Sequence, residues 1–371
     1  MSSKLFTPLR LRGLELANRI VVSPMCQYSA TDGSASDWHL IHLGQLALGG
    51  AGMLILEATG VVPEGRITPS CLGLWSDENE RALARVVDAI RRYSNTPLGI
   101  QLSHAGRKGS SAEPWHGGAL LPPSNRGWET RAPSAIPQSP EERPPRPLAR
   151  DELAGLAEAF AGAARRAARI GLDVIELHAA HGYLLHQFLS PLANHRDDDY
   201  GGSLENRMRF PLEVFDAVRA VWPADKPLGV RVSATDWVDG GWDLEQTLHF
   251  ARALELRGCD WIDASSGGLS PLQKIALGPG YQVEFARAIR AASGVPTIAV
   301  GLITEPKQAE EIVVTGAADM VALARGMLWN PHWAWQAAAE LGGGVHAPKQ
   351  YWRAPPRNAQ GAFLGTTTGQ R

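Results

Sequence analysis

Eight short apolar runs recur along the chain, and amphipathic helical patterns separate most of them. The runs cover residues 19–25, 53–58, 98–103, 174–180, 228–233, 261–267, 296–302 and 320–326. The clearest helical patterns cover residues 77–93, 151–171 and 243–258. Strands that are apolar on both faces and alternate with helices indicate a parallel sheet covered on both sides. Eight such units predict an α/β fold, a (β/α)8 TIM barrel.

A doubly wound sheet is the structural alternative, but it needs fewer strands and usually a Gly-rich turn after the first strand. Here RIVVSPM is followed by CQYSATDG, which is not the GxGxxG dinucleotide fingerprint. The pattern therefore favours the barrel.

Two segments depart from the repeat. Residues 104–150 follow the third strand and are rich in Pro and Arg, which is typical of a disordered linker, but they also carry Trp115 and Trp128. The tryptophans favour an ordered lid over the active site. We expect one barrel domain over residues 1–354 and a flexible tail over residues 355–371.

Composition narrows the possible partners and the location. The 371 residues are 44% hydrophobic and 20% charged, with a formal net charge of −2. This balance argues against nucleic-acid or membrane partners, and no apolar run approaches the roughly 18 residues of a membrane span. The first residues show no signal-peptide core, and the three cysteines form no CxxC pair. We expect a cytoplasmic enzyme without an iron–sulfur cluster.

The segment IELHAAHGY, residues 175–183, ends an apolar run with two histidines and a tyrosine. In a strand Glu176 and His178 share one face, whereas His181 has the opposite parity and reaches His178 only where the chain leaves extended geometry. Titratable groups at the carboxyl end of a barrel strand indicate an active site. One alternative is a metal-dependent TIM-barrel hydrolase that uses His178 and His181, with His104 as a third ligand. Another is a barrel that binds FMN or a phosphate without redox turnover.

Polar residues also end the neighbouring strands. Gln101 and Arg231 each lie on the same strand face as a nearby Gly and Ser. A buried arginine needs an anion, which is either Glu176 or Asp263 across the interior or an anionic ligand such as a reduced flavin. A barrel phosphate site typically lies after the last two strands. The residues there are Gly301, Ala324 and Arg325, and they predict a phosphorylated cofactor.

Four segments resemble the old yellow enzyme family of FMN-dependent ene-reductases, in the branch of thermophilic-like enzymes and xenobiotic reductases. They are SPMCQYSATDG (23–33), QLSHAGRK (101–108), HAAHGYLLHQFLSPLANHRDDDYGGSLENRMRF (178–210) and ARG (324–326). The resemblance runs from about residue 5 to residue 353. It implies non-covalent FMN that is reduced by NADPH or NADH and reoxidised by an alkene conjugated to a carbonyl or nitro group. Enones, enals, maleimides and nitro compounds are the implied substrates.

The resemblance also implies roles for individual residues. Those expected to contact the flavin are Ser23, Pro24, Met25, Cys26, Ala58, Gln101, Arg231, Ser265, Gly301, Ala324 and Arg325. Cys26 would tune the flavin potential through a weak S–H donor, although an isolated cysteine at a strand end is more often a small core residue. The family usually has Gly where Ala324 stands, and the backbone N–H remains available there.

The substrate would lie over the flavin. His178 and His181 would bind its carbonyl or nitro oxygen, the flavin N5 would give hydride to the β-carbon, and Tyr183 would protonate the α-carbon. Tyr28 would line the pocket, although a simple rim aromatic is an alternative there. Arg353 would reach the neighbouring subunit's active site, unless it is an ordinary surface arginine. That contact would make the protein a homodimer or homotetramer.

Overall fold

Eight parallel strands close into a barrel within residues 3–366, the part of the chain that the computed structural model describes. Each strand pairs with its neighbours in sequence, and the last pairs with the first. We number them β1 to β8: Ile20–Val22, Met53–Gly60, Leu98–Ser103, Val174–Ala179, Leu228–Ser233, Trp261–Ser265, Thr297–Val300 and Met320–Leu323. The predicted TIM barrel is confirmed.

The helices of the described residues lie mainly between the strands. We number them α1 to α10: Asp37–Ala47, Asp77–Arg91, Arg150–Arg169, Leu184–Leu189, Leu204–Val221, Leu244–Glu255, Val283–Ser293, Pro306–Val314, Arg325–Trp329 and Trp333–Leu341. Within residues 3–366, no helix combines the length and the apolarity needed to cross a membrane. The cytoplasmic location stays a prediction.

Helix α2 shows how local sequence sets these elements. The Ser76 hydroxyl accepts the Asn79 backbone N–H at 3.2 Å and so satisfies one of the unpaired donors of the first turn. The helical spacing of apolar residues then gives one buried face, formed by Leu83, Val86, Val87 and Ile90. The helix therefore packs this face on the barrel and leaves its charged face to solvent.

A short hairpin that the sequence pattern did not predict closes the N-terminal end of the barrel. Its strands, Leu9–Leu11 and Leu14–Leu16, pair in antiparallel fashion. Leu11 and Leu16 are buried and belong to the same apolar cluster as Met53 and Trp261 inside the barrel. This cluster fills the N-terminal half of the interior, so the site can open only at the carboxyl ends of the strands.

The excursion after β3 is ordered in the structure. It contains a two-stranded sheet of Arg131–Ala132 and Arg146–Pro147, and the Trp128 indole N–H donates to the Glu64 carbonyl at 2.9 Å. Trp115 lies beside Tyr28, with ring centroids 5.7 Å apart. These contacts place the excursion over the carboxyl end of the barrel, where its role as a lid stays a prediction.

Part of the segment predicted as a flexible tail makes defined contacts, and its flexibility stays a prediction. Residues Arg357–Ala362 form a 3-10 helix, and Phe363 is buried, with its ring centroid 4.8 Å from that of Trp335. This aromatic contact covers apolar surface on Trp335. The Gly- and Pro-rich composition of the segment gave no sign of such a contact. The last five residues of the predicted tail lie outside the described part of the chain.

Candidate active site

The backbone leaves strand geometry directly after β4. His181 and Gly182 both have left-handed conformations, with φ of 57° and 73°. The ring centroids of His178 and His181 lie 5.1 Å apart, and those of His178 and Tyr183 lie 4.8 Å apart. The turn therefore brings together three side chains whose strand parity would have separated them.

Hydrogen bonds fix the orientation of the two histidine rings. The Nδ1 atom of His178 accepts the Ala180 backbone N–H at 3.3 Å, so the proton of the neutral ring lies on Nε2. The Nε2 atom of His181 lies 2.7 Å from the Ser265 hydroxyl oxygen. Burial, and then the charge of Arg231, lowers the pKa of both rings well below the usual value. Both histidines are therefore neutral at neutral pH, and His178 presents an N–H group.

Tyr183 lies against a half-buried lysine. The Lys108 ammonium is 5.1 Å from the centre of the Tyr183 ring and donates to the carbonyls of His181 and Gly268, both at 2.8 Å. Burial lowers the pKa of Lys108 to about 8. Burial, and then the nearby Cys26, raises the pKa of Tyr183 well above its usual value. The phenol therefore keeps its proton at neutral pH.

A second strained turn follows β1. Tyr28 has a φ of 49°, and the Gln27 backbone N–H before it donates to the Glu57 carboxylate at 3.0 Å. Burial is the largest cause that raises the pKa of both the Cys26 thiol and the Tyr28 phenol. Both groups stay protonated at neutral pH, so Cys26 is a weak S–H donor and not a thiolate nucleophile.

Polar side chains cross the middle of the barrel. The Gln101 amide donates to one Glu176 oxygen at 2.8 Å, and the Trp261 indole nitrogen lies 3.3 Å from the other. The Nε atom of Arg231 lies 3.2 Å from an Asp263 carboxylate oxygen. Burial is the largest cause that raises the pKa of Glu176, to about 8, and also that of Asp263. Arg231 is thus paired with a carboxylate inside the barrel, Asp263. This is one of the two possibilities that the sequence left open for its anionic partner.

Several features at the carboxyl ends of β1, β2 and β3 fit a flavin ring. The Ser23 hydroxyl is buried and has no hydrogen-bond partner among the described residues. Pro24 and Met25 follow it half-buried at the end of β1. Ala58 lies next to Gln101 in the register of β2 and β3. A polar ligand ring in this space would give the Ser23 hydroxyl the partner that the protein does not supply.

The carboxyl ends of β7 and β8 fit the predicted phosphate side. Gly301 has a φ of 119°, and a Cβ there would lie 2.7 Å from the Gln282 amide nitrogen and 3.0 Å from the Tyr281 ring. Arg325 follows Ala324 at the start of α9 and is exposed. Its guanidinium forms no ion pair or hydrogen bond with any residue in 3–366, so it is available to an anion.

The structure does not favour the metal-dependent alternative. No group of three His, Cys, Asp or Glu residues in the described part of the chain could hold a metal ion. His104, the proposed third ligand, uses its Nδ1 atom to accept the Gly106 backbone N–H at 3.0 Å.

Comparison with known proteins agrees with this geometry. Residues 4–342 match the sequence profile of the NADH:flavin oxidoreductase / NADH oxidase family. The chain belongs to this family. It is 46% identical over 355 residues to an NADPH dehydrogenase of Geobacillus thermodenitrificans, covering 95% of this chain and 99% of the relative. An NADPH dehydrogenase of Listeria monocytogenes serotype 4a is 46% identical over 354 residues, with the same coverage. The solved structure of morphinone reductase is similar with a TM-score of 0.77 and 28% identity, covering 100% of this chain and 99% of that one.

Family membership confirms the predicted resemblance to old yellow enzymes. The protein is an NAD(P)H-dependent flavin oxidoreductase, and the predicted cofactors, FMN and NAD(P)H, are confirmed. The individual residue roles remain predictions, and they are taken up below.

Sequence reasoning missed the polar groups behind the two turns. They are Lys108 and two histidine–carboxylate pairs. The Nε2 atom of His39 lies 3.3 Å from Glu57, and that of His186 lies 2.9 Å from Asp236. The available signal was the presence of polar residues inside apolar segments, since a buried polar side chain requires a partner.

Proposed function

We propose that the protein reduces the C=C bond of alkenes conjugated to a carbonyl or nitro group, in a ping-pong cycle with NAD(P)H. The observation that supports this most is the arrangement of the three residues after β4. A neutral His178 with its N–H on Nε2, a second histidine 5.1 Å away and a protonated tyrosine surround one space. The set provides hydrogen-bond donors for an oxygen and a separate proton donor for carbon.

Bound FMN, once reduced by NAD(P)H, would supply the hydride for the β-carbon of the substrate. The histidines bind the substrate oxygen, and the neutral His178 ring donates its Nε2–H to the negative charge that develops there. His181 is held by its contact of 2.7 Å with Ser265, which fixes the direction of its ring. The neutral His178 ring donates a hydrogen bond and does not transfer a proton. His181 donates to the same oxygen from Nδ1, which requires its Nε2 atom to accept the Ser265 hydroxyl.

Tyr183 donates the proton to the α-carbon. Its raised pKa keeps the phenol protonated until a carbon base forms beside it. The Lys108 ammonium over its ring favours the phenolate that remains after transfer, because an adjacent positive charge stabilises an anion. The pair therefore makes proton donation from a weak acid feasible.

The flavin would be held by residues from several strand ends. We assign the pyrimidine side to Gln101 and Arg231, the flavin edge to Ala58 and Ser23, and the phosphate to Gly301, Ala324 and Arg325. On the pyrimidine side the cation is Arg231, which is paired with Asp263 at 3.2 Å, whereas the neighbouring Glu176 keeps its proton.

We assign the approach of small substrates to a cavity beside Tyr28. It measures about 220 Å³ and lies between Tyr28 and the excursion, with Lys108 on its wall, and His178, His181 and Tyr183 do not line it. Enones, enals, maleimides and nitro compounds would pass through it to reach those three residues. Residues 346–352 lie beside Asn18 and Pro97 at the opposite end of the barrel, so Arg353 could serve only a neighbouring subunit's site. That role would require at least a homodimer.

The test follows the flavin's visible absorption. Under anaerobic conditions NADPH should bleach the holoenzyme, and cyclohex-2-enone should restore its colour. Tyr183→Phe should bleach normally but recover with the enone about 100-fold more slowly, which is the range of general acid catalysis. Tyr200→Phe is the matched control, since its hydroxyl bonds Glu213 at 3.3 Å outside the barrel. Recovery of Tyr183→Phe at the control's rate would refute the assigned proton donor, and no recovery with any enone would refute the proposed reaction.

A further inference from the structure

The turn after β4 is held by side chains rather than by the strand ladder. The His181 N–H donates to the Ser233 hydroxyl at 2.9 Å, and its carbonyl accepts from Lys108. The Gly182 N–H donates to the Nδ1 atom of His186 at 2.9 Å. Because His181 is a non-glycine residue in the left-handed region, its conformation depends on these partners.

His186 can accept that N–H in only one protonation state. It is fully buried, and an Nδ1 atom that accepts must be unprotonated, so the ring proton lies on Nε2. Nε2 lies 2.9 Å from one oxygen of Asp236, which is also fully buried. The carboxylate favours a proton at Nε2 and thereby keeps Nδ1 free as an acceptor.

Asp236 is itself fixed from two other directions. Its second oxygen accepts the Ser190 hydroxyl at 2.6 Å and the Trp242 backbone N–H at 2.7 Å. These bonds tie it to the end of α4 and to the loop after β5. A continuous path therefore runs from Asp236 through His186 to the peptide between His181 and Gly182.

We propose that Asp236 and His186 are positioning residues for the reduction. Asp236 keeps the proton of His186 on Nε2, and the free Nδ1 atom then anchors the peptide between His181 and Gly182. The anchored peptide directs the His181 ring and the Tyr183 phenol, which lie on either side of Gly182. The inference rests on the proposed function, because it assigns the pair to the proton-donor side of that site. Neither residue contacts the substrate or the flavin in this scheme.

The isosteric variant Asp236→Asn gives a sharp test. The new amide would keep its oxygen on the Trp242 N–H, so its NH₂ would face Nε2 of His186 and shift the ring proton to Nδ1. Two N–H groups would then oppose each other at Gly182. We expect enone-driven recovery of the reduced holoenzyme to slow by about 10- to 100-fold, as expected for a misplaced catalytic group.

The variant His186→Asn supplies the rescue. Its amide oxygen can reach the former Nδ1 position and accept the Gly182 N–H. An amide has no ring tautomers, so this bond does not depend on Asp236. We expect near wild-type recovery for His186→Asn, and the same for the double variant Asp236→Asn with His186→Asn, although both should unfold at lower temperature than wild type. A purely structural role predicts the opposite, since two core substitutions would then be slower than one.

A spectrum gives a readout that does not depend on turnover. Long-range ¹H–¹⁵N spectra of ¹⁵N-histidine-labelled protein should show His186 protonated on Nε2 in wild type and on Nδ1 in Asp236→Asn. If Asp236→Asn does not fold, His186→Gln replaces it, because that side chain reaches Asp236 but offers no acceptor at the Nδ1 position. It should be as slow as Asp236→Asn.

The outcomes separate this inference from the function on which it rests. Wild-type recovery in Asp236→Asn or His186→Gln, or a double variant no faster than Asp236→Asn, overturns the positioning role. If Tyr183→Phe is slow in the same assay, the proposed reaction still stands. If Tyr183→Phe is also unaffected, the proton-donor assignment fails as well.

Discussion

Gly182 is a position where a single added methyl group should distort the candidate site. An added Cβ would lie 2.3 Å from the Gly268 carbonyl oxygen and 2.7 Å from the Leu269 Cα, and both are backbone atoms that cannot rotate away. The φ of 73° adds left-handed strain of roughly 1–2 kcal/mol. Overpacking typically costs about 1–3 kcal/mol more. We therefore expect Gly182→Ala to lower the free energy of unfolding by about 2–5 kcal/mol.

Urea unfolding measures this loss, and Gly202→Ala is the control. Gly202 has a similar φ of 78°, but an added Cβ would meet no atom within 4 Å. The control should therefore show the strain alone and recover normally with an enone. Gly182→Ala should also recover about 10-fold or more slowly, because His181 and Tyr183 shift with the turn. Equal stability losses in the two variants, with a normal recovery rate in Gly182→Ala, would show that the close approach to Gly268 does not constrain the site.

Three further changes test other parts of the barrel. Glu176 holds a proton in the folded state up to a pKa of about 8, whereas the unfolded chain loses it near pH 4.5, so stability should fall between these pH values as pH rises. Glu176→Gln should flatten that slope in urea unfolding, and an unchanged slope would contradict the raised pKa. Gln101→Leu should cost about 1–3 kcal/mol, because one Glu176 oxygen loses its partner; a thermal melt with no change in midpoint would count against this bond. Trp115→Ala should alter KM for bulky enones more than kcat, since Trp115 contacts Tyr28 and no reacting atom; steady-state kinetics with an unchanged KM would argue against a lid role.

The strand positions of this fold were predictable from sequence, and their polar faces were too. Gln101 pairs in register with Glu176, and Arg231 with both His178 and Asp263, as the alternation of side chains required. The alternation of side chains along a strand is a local property, so it can be read from sequence. Eight buried strands in one chain then predict a closed barrel.

The turns and the groups behind them could not be derived in this way. The register between β2 and β3 shifts between Leu56 and Ala58, beside Glu57, which accepts a hydrogen bond from the turn after β1. Every residue of Met53–Gly60 is buried, so no alternation marked that bulge. Glu57 and Asp236 act through contacts distant in sequence, with His39 and His186 respectively. Such pairs become visible only once the strands bring them together.

The excursion after β3 has an inner end, at Arg107 and Lys108, and an outer end, around Trp115. The two ends differ in how firmly they contact the barrel. At the inner end, the guanidinium of Arg107 donates to the Leu269 carbonyl, and the Lys108 ammonium donates to the His181 carbonyl in the turn after β4. Farther along, Trp115 is 62% exposed and contacts the Tyr28 ring, with centroids 5.7 Å apart. Exchange of the outer portion, by evolution or by grafting, should therefore change which substrates enter without altering the proposed site below it. The inner portion evolves with the barrel, because a graft that replaced it would remove the supports of His181 and Tyr183.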